Sequence, residues 1–371
     1  MTKFQPVLDA FDAHCDADPT HSAQLAAYIG DELVIHRSVG ELGPDSLLPV
    51  YSSSKGAAAI VIGLLIERGQ LDLDAKVAGY WPEFAAKGKG AVTVRQLLSH
   101  QAGLGGVDGG FTADEVNEHD ALAQRLAAQR PLWAPGRAFM YHALTLGTLA
   151  DELCRRIDGR AIGQVLRDDV AQPRGIDVWM GTPASEDDRV VEAMAPTSDE
   201  IVDFLSTTPD FLNSADRITA VVLPAGGPLD LVASVNQEPM RRAGPPAAGM
   251  LASAAGLARL YAAIGHELDG QERLLSDDTI SQMSQIQYDG LELGSGFAVR
   301  FGVMFQLPCH PRWPFGSFRA FGHDGAGGSL AFFDPPGDIS FAYTVQRLPL
   351  PGGMDARAVE LAATLRACLG I

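Results

Sequence analysis

Apolar residues recur along the chain with two different periods, and the switches between them outline the fold. Phe4, Val7, Leu8 and Phe11 follow the i, i+3, i+4, i+7 spacing that lines one face of a helix, so an amphipathic helix is expected near the N-terminus. The runs Gln24-Leu25-Ala26-Ala27-Tyr28-Ile29 and Glu32-Leu33-Val34-Ile35-His36 flank Gly30-Asp31, a two-residue link of hairpin type, and predict two antiparallel strands. Aromatic and β-branched residues over 297–305, 329–333 and 339–345 predict further strands, with Asp334-Pro335-Pro336-Gly337-Asp338 as the turn between the last two. Helical spacing returns with Ala358, Leu361, Ala362 and Leu365, and this closing helix is expected to pack beside the first on one sheet.

The middle of the chain reads differently. From Leu71 to Ala254 few alternating patterns occur, and helices joined by long loops are expected. Thr93-Val94-Arg95-Gln96 has the form of a capping box ahead of Leu97-Leu98, and residues 145–157 are helical in pattern, closed by Gly159. Residues 207–248 are rich in Pro and Gly without clear periodicity and read as a long covering loop. The predicted fold class is therefore α/β (α+β), an antiparallel sheet flanked by helices. Residues 1–70 and 255–371 form one domain from both chain ends, and residues 71–254 form a mainly helical insertion with long covering loops. The most apolar run, Ala57 to Ile66, is about half the length that crosses a bilayer, so it is expected to be a buried core helix rather than a membrane span.

Composition narrows the function classes. The 46 acids against 28 bases give a formal charge of −18 with no basic run, which disfavours nucleic acid as a partner. Cys15, Cys154, Cys309 and Cys368 lie far apart with no zinc-ligand spacing, and the acid pairs Asp72/Asp74 and Asp187/Asp188 lack a metal-ligating companion. Reduced thiols and no metal are expected. The opening Met1-Thr2-Lys3-Phe4-Gln5-Pro6 does not have the form of a secretory leader, so a cytoplasmic location is expected. Self-association is left open.

Candidate chemistry starts at Ser52-Ser53-Ser54-Lys55, immediately before the apolar run. A serine and a lysine three residues apart share a helix face, and a serine hydroxyl needs a nearby base before it attacks. Burial and the positive end of the helix dipole would both disfavour the ammonium form of Lys55. The spacing alone is a weak signal, since serine and lysine are common, and by itself it fits an N-cap serine beside a solvated lysine better.

Further motifs extend the pattern. With Val50-Tyr51-Ser52-Ser53-Ser54-Lys55, the segments 92–104, Phe139-Met140-Tyr141-His142-Ala143 and Gly322-His323-Asp324-Gly325-Ala326-Gly327-Gly328 resemble the ordered motifs of the serine β-lactamase and penicillin-binding-protein superfamily. The resemblance covers most of the chain. It implies a β-lactamase-like fold, Ser52 as nucleophile, Lys55 as its proton acceptor and Tyr141 as a proton relay to the leaving group, with no cofactor. It also implies an oxyanion hole from the Ser52 and Ala326 N–H groups, with His323, Asp324 and Gly325 beside the substrate. A cationic Lys55 near Tyr141 would favour its phenolate. Ala143 stands where a lactamase has asparagine, and His323-Asp324 replaces a Lys-Thr pair that helps hold a substrate carboxylate. These departures resemble the family VIII carboxylesterases and imply a small-molecule ester, preferably neutral, as substrate.

Other residues are weaker candidates. Trp133, Trp313 and Phe321 suit the walls of an acyl or alcohol pocket and suit ordinary core packing equally. His142 could support its loop or act directly, whereas His100 is expected to make structural bonds at a helix end. A Ser-His-Asp triad is disfavoured, because G-x-S-x-G is absent and the adjacent His323 and Asp324 would point to opposite faces of a strand. Two rivals stand beside the esterase. One keeps the nucleophile but hydrolyses a β-lactam or peptide amide, or transfers the acyl group. The other is a non-catalytic, self-associating scaffold.

Overall fold

The computed structural model describes residues 3–208 and 230–371. Its strands are β1 (Ala23–Ile29), β2 (Glu32–Val39), β3 (Leu48–Pro49), β4 (Val178–Met180) and β5 (Met250–Ala252). They continue with β6 (Tyr288–Leu291), β7 (Ala298–Phe301), β8 (Phe321–Asp324), β9 (Leu330–Asp334) and β10 (Ile339–Val345). The helices that frame the site are α1 (Gln5–Ala17), α2 (Ser53–Glu67), α3 (Thr145–Asp158), α4 (Ala254–Gly265) and α5 (Ala356–Leu369).

Five strands form an antiparallel sheet in the order β2-β1-β10-β9-β8, so the hairpin at Gly30-Asp31 lies beside the last strands of the chain. The side-chain period of two divides each inner strand between two cores. Leu25 and Ala27 face a cluster with Val7, Phe11, Leu361 and Leu365, whereas Ala26 and Tyr28 face one with Leu257 and Tyr261. Phe332 and Phe341 join the first cluster, and Phe333 and Ala342 the second. Thus α1 and α5 cover one face together, as their apolar stripes predict, and α4 covers the other. Both faces being covered, β9 and β10 are buried at every position.

Helix α2 runs behind this sheet and is buried from Ser53 to Leu65, which matches its lack of a polar face. The capping box at Thr93 and Gln96 forms, and α3 ends on Gly159 in the left-handed conformation. Three expectations need correction. The stretch 297–305 is a strand only over Ala298–Phe301, paired with β6. The middle of the chain contributes β4 and β5, and β5 pairs with β4 on one side and β3 on the other in a small separate sheet. Of the expected covering loop, residues 231–236 and 238–243 are short helices, the first capped by Asp230, while residues 209–229 lie outside the described residues. No helix among the described residues is long and apolar enough to cross a membrane.

Candidate active site

The serine cluster separates into three roles. Ser53 Oγ donates to the His323 carbonyl at 3.1 Å and lies 2.9 Å from Ser329 Oγ, while Ser54 Oγ donates to the Tyr51 carbonyl and accepts from Met250 N. Both are pins between α2 and its surroundings. Ser52 occupies the N-cap position, but its hydroxyl caps no backbone N–H and the residue is only half-buried. Tyr51, just before it, has φ of +48°, a left-handed conformation that a bulky residue adopts only when its surroundings impose it.

Lys55 is fully buried, so the solvated-lysine alternative does not describe this site. Its Nζ lies 3.1 Å from Ser52 Oγ, 2.7 Å from the Ala143 carbonyl and 2.9 Å from the Ala247 carbonyl. A neutral amine has two N–H bonds and one lone pair. Two carbonyls and one hydroxyl are the matching set, with the lone pair turned to the Ser52 proton. Burial pushes the amine down to about 7, partly offset by the Asp324 carboxylate, which favours the ammonium. Ala247 comes this close because Gly147 in α3 has no side chain, since a Cβ there would lie 2.5 Å from Ala247 N.

Tyr141 faces the same hydroxyl from the other side. Its phenol lies near enough to Ser52 for that hydroxyl to favour its ionised form and 3.4 Å from His323 Nε2, and Lys55 Nζ is 4.8 Å from its ring centre. Here the phenolate expectation fails. Burial raises the phenol far above its ordinary value, so the resting site holds a protonated tyrosine. His323 Nδ1 lies 2.7 Å from the Asp324 carbonyl and must carry the proton there, leaving Nε2 to accept from Tyr141. Burial also lowers His323, so it is neutral. The Asp324 carboxylate, at the end of β8 where the chain turns, comes within 3.6 Å of His323 Nδ1 rather than pointing away from it. His323 meets Tyr141 and not Ser52, so the arrangement is still no Ser-His-Asp triad.

The strand end beyond β8 closes on the start of α2 beside Ser52. A Cβ on Gly325 would sit 2.3 Å from the Val50 carbonyl, and one on Gly327 would sit 2.2 Å from the Tyr51 ring. Only glycine permits that approach. The N–H groups of Ser52 and Ala326 have no hydrogen-bond partner among the described residues and are free to receive an oxyanion.

Other candidates move. Phe321 is core, wedged between Phe305 at 4.9 Å and Phe333 at 5.8 Å, and is not a pocket wall. Trp313 is buried edge-on to Phe301, and half-buried Trp133 meets His142 edge-on at 6.2 Å. His142 uses both ring nitrogens on the backbone, accepting from Leu104 N at 2.9 Å and donating to the Met140 carbonyl, and burial holds it down to about 4. That is support, not direct catalysis. His100 does more than end a helix. It sits at φ +62°, accepts the His142 N–H on Nδ1 at 2.9 Å, and lays its ring 4.9 Å from that of Tyr141.

Sequence reasoning also missed Glu292. This buried carboxylate accepts the Tyr141 N–H at 3.1 Å and the Ser295 N–H, tying the Tyr141 loop to the β6–β7 hairpin. The Ala143 and Ala247 carbonyls were missed as well, since main-chain atoms carry no signature in a sequence.

The Beta-lactamase family profile matches residues 9–365. The esterase/beta-lactamase LipL of Mycobacterium tuberculosis is 35% identical over 312 residues, covering 83% of this chain and 71% of LipL. The structure of EstA from Arthrobacter nitroguajacolicus Rue61a superposes with a TM-score of 0.91 at 39% identity, over 99% of this chain and 97% of that one. A family VIII carboxylesterase superposes with a TM-score of 0.85 at 32% identity, over 99% of this chain and 98% of that one.

Proposed function

Since the chain belongs to the β-lactamase family of serine hydrolases, we propose that it is a carboxylesterase, cleaving esters of small molecules through an acyl-Ser52 intermediate. The observation that carries this reading is the buried Lys55 amine, 3.1 Å from a Ser52 hydroxyl that caps nothing. Lys55 takes the Ser52 proton as Oγ bonds to the ester carbonyl carbon, and the tetrahedral oxyanion lies against the Ser52 and Ala326 N–H groups. On collapse the C–O bond breaks. Tyr141 gives its phenolic proton to the departing alkoxide and regains one from the Lys55 ammonium. Water then attacks the acyl-serine, its proton travelling the same path in reverse, and free acid and Ser52 are released. His323 supports the cycle by accepting from the Tyr141 hydroxyl, which keeps that oxygen aimed between Ser52 and the leaving group.

LipL is named for both activities, so β-lactam hydrolysis by the same nucleophile is the second reading. A fluorophosphonate probe followed by peptide mapping is expected to label Ser52, and p-nitrophenyl butyrate is expected to be turned over faster than nitrocefin. No label, or a label elsewhere, overturns the mechanism. The opposite rate order overturns the substrate class alone.

A further inference from the structure

Two arginines near the β6–β7 hairpin stack on aromatic rings, and they differ in what their N–H groups do. Arg300 lies 5.2 Å from the Phe318 ring, donates to Asp289 at 3.1 Å and to the Pro308 carbonyl at 2.9 Å, and is thereby satisfied. Arg312 lies between two rings, 4.3 Å from the centre of Phe297 and 5.0 Å from that of Trp313. Yet none of its five N–H donors meets a partner among the described residues. Ring faces hold a guanidinium in a fixed plane while leaving its hydrogen-bonding edge open, and that edge matches a carboxylate in bidentate fashion.

Arg312 is exposed, and two ring layers, Trp313 and Phe301, separate it from the proposed chemistry. Trp313 packs 5.6 Å from Phe301, and Phe301 in turn lies 5.9 Å from Tyr141 and 6.2 Å from His323. The Phe297 carbonyl accepts the N–H of Glu292, the residue that holds Tyr141. Asp324 and Glu292 are close enough for their charges to act on the guanidinium, but both are engaged elsewhere. Glu292 accepts from Tyr141 N and Ser295 N, and Asp324 accepts from Met354 N at 2.9 Å. A site cation held by rings, with its local acids already bonded, is an open place for an anion. The chain's −18 charge opposes anions at long range, but beyond about 8–10 Å that field is screened at physiological salt, so local contact decides.

We propose that Arg312, clamped by Phe297 and Trp313 at the rim of the Ser52 site, binds a carboxylate carried by the ester substrate. Half-esters of dicarboxylic acids are then the preferred class. This rests on the esterase reading, and it revises the neutral-ester expectation drawn from His323-Asp324: the cation lost from the strand is supplied from the hairpin side.

The test compares kcat/KM for mono-p-nitrophenyl glutarate and p-nitrophenyl butyrate in the unmodified protein, Arg312→Gln and Arg312→Lys. A parallel measurement asks whether millimolar glutarate slows fluorophosphonate labelling of Ser52. The glutarate-to-butyrate ratio is expected to fall about 10- to 100-fold in Arg312→Gln, as for a lost hydrogen-bonded charge contact, and less in Arg312→Lys. Glutarate is expected to protect the unmodified protein and not Arg312→Gln, and labelling of that variant without glutarate establishes that its site is folded. An unchanged ratio, or equal protection or none in both proteins, overturns the assignment. Should Ser52 label while neither ester turns over, the esterase reading fails by itself and the protection result still decides the fate of the Arg312 site.

Discussion

The two sides of the Ser52 hydroxyl are built by opposite strategies. On one side Lys55 is three residues away on the same helix, and the buried body of α2 fixes the pair with no help beyond two carbonyls. On the other side Tyr141 is held by His100 beneath its ring, Glu292 at its backbone N–H and His323 at its hydroxyl, three residues from three distant segments. In the proposed mechanism the difference is between a base placed by secondary structure and an acid placed by tertiary structure. The first is robust to loop changes. The second depends on every support being present.

Breaking each side in turn gives the largest contrast. Lys55→Met keeps the apolar stem and removes the proton acceptor, and is expected to lower kcat toward the upper end of the about 10²–10⁴-fold range for positioned acid–base groups. Tyr141→Phe keeps the ring on His100 and removes the proton, and is expected near the lower end of the same about 10²–10⁴-fold range, because water can replace a proton donor to an alkoxide. Steady-state rates normalised to the fraction of Ser52 that reacts with fluorophosphonate measure both. A larger loss in Tyr141→Phe than in Lys55→Met reverses the assignment of roles.

What could be read in advance follows the same division. Local periodicity located α1, the Gly30-Asp31 hairpin, α2 and β10, because each element's pattern is written in consecutive residues. That places Ser52 and Lys55 on one helix face, but their candidate role came from the family resemblance that Tyr141 and the 322–328 segment carry. Phe321 misled because a sheet covered on both faces buries every position of β8, leaving no alternation to tell a core residue from a pocket wall. The Tyr141 phenolate is not what a sequence can settle, because the pairing with Lys55 is visible in the motifs while burial, which neutralises the lysine and raises the phenol together, is not. His100 and Glu292 were illegible as supports, since their contacts with the Tyr141 loop span long stretches of sequence.

The tertiary side can be tested through His100. Removing the imidazole acceptor leaves the His142 N–H unpaired and unseats the Tyr141 ring, and a displacement of about 1 Å can cost about 100-fold. His100→Phe is therefore expected to lower kcat by about 10- to 100-fold with KM little changed. A general structural defect would do the same in any background, whereas a positioning role acts through the phenol alone. In a Tyr141→Phe background the His100→Phe loss is expected to shrink to near zero. Additive losses in the double variant count against positioning.

The smallest effect is the most specific to the lysine side. In the proposed cycle Lys55 works as the neutral amine, so kcat/KM is expected to rise with pH through an acid limb centred near 7, where burial has brought its ionisation. The groups facing it are Ser52, the Tyr141 ring and the Asp324 charge, with Tyr141 protonated and His323 neutral across that range. Asp324 favours the ammonium, and so it raises the lysine against the downward pull of burial. Asp324→Asn removes that charge while keeping an oxygen to accept the Met354 N–H, and the limb is expected to move to lower pH. The same substitution also lowers His323, which leaves that ring neutral and adds no new titration. A limb that stays in place, or moves upward, shows that the group titrating near 7 is not Lys55, and the helix-placed base would have to be sought elsewhere.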